Sequence, residues 1–108
     1  MPNTILPDYP TKVGNKTLVI LDHTGPASYA TGGETVSAGE WFFSGIDMAK
    51  TAPLSMSGTY QVLTLYPAGG TARTTSVKLA WYVVATGLEV GAAVNLSAEH
   101  VRVEILGV

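Results

Sequence analysis

Polar and apolar positions alternate most regularly between Ser76 and Val108. Val77, Leu79, Trp81 and Val83 alternate with Ser76, Lys78, Ala80 and Tyr82. Val101, Val103 and Ile105 then alternate with His100, Arg102 and Glu104. A period of two belongs to a strand with one face in a core. The pattern predicts main strands at 17–22, 40–46, 59–66, 75–85 and 99–107, with short additions at 34–37 and 88–91. The first, TLVIL, is apolar on both faces and belongs at the centre of a sheet or under a cover. In EWFFSGI, Trp41 and Phe43 are expected on one face and Phe42 on the other. The stretch Asp47–Met56 has room for one helical turn, limited by Pro53. Pro67-Ala68-Gly69-Gly70 marks the turn of a hairpin joining 59–66 to 75–85. Strands and turns at this spacing predict an all-β fold, an antiparallel β-sandwich or small barrel with long loops.

Met1–Asn15 carries Pro2, Pro7 and Pro10 and lacks helical spacing, so it predicts an extended N-terminal arm. Residues 16–108 are expected to form one β domain. Ile5, Leu6 and Tyr9 are apolar anchors that a free tail rarely needs. The loop Gly25–Gly39 is longer than most and therefore suggests interaction. Its aromatic, Tyr29, is expected to be exposed and used at an interface. Tyr60 and Tyr82 are expected to form a cross-strand packing pair or, if exposed, a sugar platform. Trp41 and Trp81 are expected in the core.

Composition narrows the function. Only 13% of the 108 residues are charged, against about 25% in an ordinary soluble domain. The net charge of −2 comes with scattered lysines and arginines, which argues against a nucleic-acid interface. With no cysteine, disulfides and thiolate metal sites are excluded. Met1-Pro2-Asn3-Thr4 has neither a basic nor an apolar signal region, so no secretory leader is expected. The longest apolar run, Leu79–Ala85, is too short to span a bilayer as a helix.

Candidate chemistry is sparse. His23 follows Asp22 at a strand end, and His100 starts the last strand. Nothing in the spacing makes them meet, and a surface or capping role is expected for each. The carboxylates Glu34, Glu40, Asp47, Glu89, Glu99 and Glu104 suggest no facing pair. No nucleophile elbow or phosphate loop is present. No catalytic residue, metal site or cofactor is expected, and the chain reads as a contact scaffold. A solvent-accessible pocket in which His23 or His100 meets an ordered carboxylate would count against that reading.

The loop Thr24-Gly25-Pro26-Ala27-Ser28-Tyr29-Ala30-Thr31-Gly32-Gly33, the strand Val77-Lys78-Leu79-Ala80-Trp81 and the following Ala85-Thr86-Gly87-Leu88-Glu89-Val90 resemble small virion proteins of tailed bacteriophages. The resemblance implies a non-enzymatic structural role, as a decoration or cement protein on the outer capsid surface. It implies the major capsid protein and the chain itself, as a homotrimer, for partners, with neither nucleic acid nor membrane. Synthesis would be in the host cytoplasm and the final location the virion. Alternatives are a tail or neck structural protein, or a carbohydrate-binding host-attachment module. On the residue reading, Ile5, Leu6, Tyr9 and Tyr29 are the expected contacts.

Overall fold

In a computed structural model, residues 3–7, 9–66 and 73–108 are described. The expected Pro67–Gly70 turn and residues 1, 2 and 8 of the arm lie outside them. The doubly apolar run is the centre of β3 (Lys16–Thr24), the strand between the first sheet's edge and its middle. On one side β3 pairs with β8 (His100–Gly107), which pairs with β5 (Ile46–Thr51). On its other side lie β1 (Thr4–Ile5) and β2 (Thr11–Val13). The second sheet runs β4 (Glu34–Ser37), β7 (Ser76–Val83), β6 (Tyr60–Leu65). All pairings are antiparallel.

Register turns the sequence alternation into two inner faces. Val19, Leu21, Val101, Val103 and Ile105 of the first sheet share one core with Val36, Val62, Val77, Leu79 and Trp81 of the second. The fold is thus an all-β antiparallel sandwich. Trp41 and Trp81 are fully buried, as expected of core residues. At one margin β5 ties the sheets together. Ile46 and Thr74 exchange backbone hydrogen bonds, and the Tyr66 hydroxyl both accepts from Ala49 N–H and donates to Ala49 C=O, each at 2.8 Å. A phenol thus stands where a neighbouring strand would satisfy β5's edge.

Two segments differ from expectation. The predicted strand 40–46 is instead a single turn of 3-10 helix over Ala38–Trp41, closed by Glu40 accepting from Ser37 N–H. Phe42 follows at φ 70°, and this left-handed residue turns its ring outward between buried Trp41 and buried Phe43. A turn therefore produces the in–out–in alternation that resembles a strand. The strand instead runs over Ile46–Thr51, so most of it occupies the start of the 47–56 stretch where one helical turn was expected. The 88–91 stretch contributes only an isolated bridge between Glu89 and Tyr82.

The N-terminal residues lie along their own domain. β1 and β2 both pair with β3, β1 opposite Leu21 and Asp22 and β2 opposite Lys16–Leu18. Gly14, at φ 64°, makes the turn into β3. Ile5 packs against the core.

Candidate functional site

Period two carries His23 inward, in phase with Val19 and Leu21. The same rule carries Glu34 inward, in phase with Val36 of β4. The two side chains come from opposite sheets and meet: His23 Nε2 lies 2.8 Å from Glu34 Oε1. That carboxylate oxygen also accepts from the Trp81 indole at 3.1 Å. His23 Nδ1 lies 2.7 Å from Asn3 Oδ1 and 3.2 Å from the Trp41 indole nitrogen. The Trp41 ring stands edge-on to the imidazole. This is a buried polar network inside an apolar core, with His23 only 4% exposed.

A cleft of about 640 Å³ opens beside the network, lined by Asn3, His23, Thr24, Glu34, Glu40 and Phe42 among others. The expected surface or capping role of His23 is therefore wrong. The condition set against the contact reading is partly met, because a histidine does meet a carboxylate at a cleft. Its geometry is nevertheless poor for acid–base work. A general base must reach a substrate proton, and both ring nitrogens are already engaged with protein groups.

His100 makes a separate cluster on the outer face of the first sheet. Its Nδ1 lies 2.9 Å from Asp22 Oδ2, and Arg102 Nε lies 4.0 Å from the other Asp22 oxygen. Because His23 faces inward and His100 outward, the two histidines do not share a site. Among the described residues no group of three or more His, Cys, Asp or Glu side chains could hold a metal ion.

Comparison with protein families, curated proteins and solved structures returns no match.

The four expected contact residues occupy different surroundings. Ile5 is half-buried against the core. Leu6 is half-buried and lines a shallow cleft with Asp22, Met56, His100 and Arg102. Tyr9, also half-buried, donates its N–H to Leu6 C=O. Tyr29 is a correction: it is 2% exposed. Its hydroxyl donates to Glu89 Oε2 at 2.6 Å and accepts from Trp81 N–H at 3.1 Å. Burial and then the Glu89 contact push its phenol up to about 12. Glu89 also accepts from Gly32 N–H, and these two bonds hold its carboxyl below the usual range. Tyr29 is thus a plug that pins the 25–33 loop to β7. Its loop packs so closely that a Cβ on Gly25 would run into Leu96.

The Tyr60–Tyr82 pair is a second correction. Tyr60 opposes Val83, while Tyr82 opposes Gln61, so their rings leave opposite faces of the sheet. Tyr60 instead packs edge-on against Trp81.

What the sequence did not single out is the outward apolar surface. Phe42 is 61% exposed at the rim of the cleft. On the outer face of the second sheet, Leu63 and Leu65 are 44% and 41% exposed. The signal was available, since both residues fall out of phase with Val62.

Proposed function

We propose that this chain is a structural component of a tailed-phage particle that binds the outer surface of the assembled shell and stabilises it, acting as a trimer. The observation that carries the reading is the outer face of the β4–β7–β6 sheet. Among the described residues of its three strands Lys78 is the single charged outward position; Leu63 and Leu65 stand open beside Thr35, Gln61, Ser76 and Tyr82. Outer faces of antiparallel sheets are ordinarily polar, and exposed apolar patches mark contact surfaces. The bacteriophage resemblance of the Thr24–Gly33 loop and the Val77–Trp81 strand supplies the kind of assembly.

The mechanism is mass action: a ligand that binds only the assembled lattice stabilises it. Symmetry repeats a modest contact many times over. The N-terminal residues and the Tyr29 loop are tied into the domain, so the reading shifts the main contact to the leucine face. A tail or neck position would use the same face, whereas the carbohydrate alternative loses its Tyr60–Tyr82 platform.

The test is binding to expanded, undecorated shells, together with the copy number and location of the chain in purified particles. Saturable binding that raises the shell's melting temperature is expected. A folded Leu63→Glu, Leu65→Glu variant should fail to bind. Particles that carry the chain away from the head, or a double variant that binds as well as the parent, would refute it.

A further inference from the structure

We propose that His23 is a proton-operated latch on the N-terminal strand: its imidazolium form holds Asn3, and its neutral form exchanges Asn3 for Trp41. The proposal does not rest on shell binding. It rests on one ring nitrogen with two partners of opposite demand. Asn3 Nδ2 donates to the Glu40 carbonyl at 3.0 Å, which fixes the amide and turns its oxygen to His23 Nδ1 at 2.7 Å. An amide oxygen only accepts, so that contact requires a proton on Nδ1. Glu34 Oε1, 2.8 Å from Nε2, requires a proton there too. With both nitrogens protonated, the ring is cationic.

The Trp41 indole points at the same Nδ1 from 3.2 Å. An indole N–H only donates, so it bonds to Nδ1 only when that nitrogen carries a lone pair. Each protonation state satisfies one partner and strands the other. The cationic state leaves a buried indole N–H without this acceptor. The neutral state, with its remaining proton on Nε2 toward Glu34, sets two lone pairs face to face at Asn3. Leaving a buried polar group unmatched is costly, so the neutral ring turns from Asn3 to Trp41.

The surrounding charges are few. Glu34 faces the ring from β4, and β7 contributes the neutral Trp81. Glu40 approaches through its carbonyl on Asn3, its carboxylate being held by Ser37 N–H. From β8 the residue opposite is Val101. Asp22, His100 and Arg102 lie on the other face of the sheet, where Asp22 opposes Thr4. His100 is therefore the second group able to make this end of the sheet pH-sensitive.

The latch acts on a weak element. Residues 3–6 are otherwise held by the two-residue β1 ladder, Ile5 packing and Leu6 N–H to Ile20 C=O at 3.0 Å. Such short strands open at low free energy. Release frees the edge of β3 at Leu21 and Asp22.

Ring nitrogens can be read directly in the ¹⁵N-labelled full chain, from about pH 5 to pH 8, where histidines ordinarily change charge. Hydrogen-exchange protection is measured at Leu6, with Ala52 and Val90 as references. As Nδ1 loses its proton, Leu6 protection should fall about tenfold, the worth of one hydrogen bond, with the references unmoved. His100→Gln should keep the response. Asn3→Ala should abolish it, leaving Leu6 poorly protected at every pH. Three results would overturn the latch: Leu6 protection indifferent to Nδ1, a response that survives Asn3→Ala, or a ring that keeps one form throughout.

Discussion

Replacing Tyr29 with phenylalanine removes one oxygen and breaks two hydrogen bonds, with almost no change in packing volume. The lost donor bond reaches an ionised carboxylate at 2.6 Å, and bonds to charged groups contribute about 1.5–3 kcal/mol. The lost acceptor leaves Trp81 N–H, in the buried middle of β7, without its partner at 3.1 Å. An orphaned buried donor costs about 1–3 kcal/mol. The two losses share one hydroxyl and do not simply add, so Tyr29→Phe is expected to cost about 3 kcal/mol. For a domain of this size that lowers Tm by about 12–24 °C. Urea unfolding followed by tryptophan fluorescence should show a lower midpoint at unchanged slope. A double-mutant cycle with Glu89→Ala should give a coupling of at least about 1 kcal/mol. The pH dependence supplies an independent check. The folded phenol titrates at about 12 instead of 10.0, so between those values the folded chain keeps a proton that the unfolded chain has released. The Tyr29 contribution is thus intact below pH 10 and lost as pH rises toward 12, and the variant lacks that loss. A cost below about 0.5 kcal/mol, or single-variant costs that merely sum, would refute the role of Tyr29 as a plug.

Among the described residues the buried Thr64 hydroxyl has no hydrogen-bond partner, so Thr64→Val should stabilise the domain by about 1 kcal/mol, and a lowered urea midpoint would count against this. Asp47 holds Lys16 and Arg73, each at 2.6 Å. Arg73 first, then Lys16, lowers its carboxyl from 3.8 to about 2, so its contribution is present above the ordinary value and disappears as pH falls toward 2. The stability gap between wild type and Asp47→Asn should therefore close over that window, and parallel pH profiles would contradict it. Phe42 pays for a left-handed backbone at φ 70° while 61% exposed, a strain of about 1–2 kcal/mol. Phe42→Gly should keep or raise Tm; a clear fall in Tm would show that the ring serves the fold instead.

β7 and β8 were legible from alternation, β3 from its continuous apolar run and β6 from its β-forming residues. β5 was not, for a geometric reason. Its inward residues are Ile46, Ala49 and Thr51, and a register shift between Ile46 and Met48 breaks the period of two. The strong apolar cluster Trp41-Phe42-Phe43 drew the prediction a few residues too early. β2 gives no apolar signal because all three of its residues are exposed. Its register with β3 is not continuous with that of β1: Ile5 opposes Leu21 while Thr11 opposes Leu18. Pro2, Pro7 and Pro10 predict an extended arm, whereas Thr4–Ile5 and Thr11–Val13 are both bonded to β3. Tyr29 was illegible for another reason: its anchor is Glu89, sixty residues away in sequence, and no local pattern marks a loop aromatic as a plug.

His23 and Glu34 were legible in principle, because strand phase alone sends both side chains inward; what the sequence did not reveal is that the two strands face each other across the core. That placement also bears on the contact reading. Of the few charges in the chain, Glu34 is drawn inside, while Lys16, Asp47 and Arg73 are spent on one another, as are Lys50 and Glu104, and Asp22 with Arg102. Charges tied up in pairs leave less polar surface to cover the outer strands. Leu63 and Leu65 then meet water on a face with one lysine, an arrangement a solitary domain would not favour. A partner over that face removes the penalty without any change in the fold. The buried histidine network and the open leucine face thus follow from the same scarcity of charge, and covering the leucines is what a role in assembly would supply.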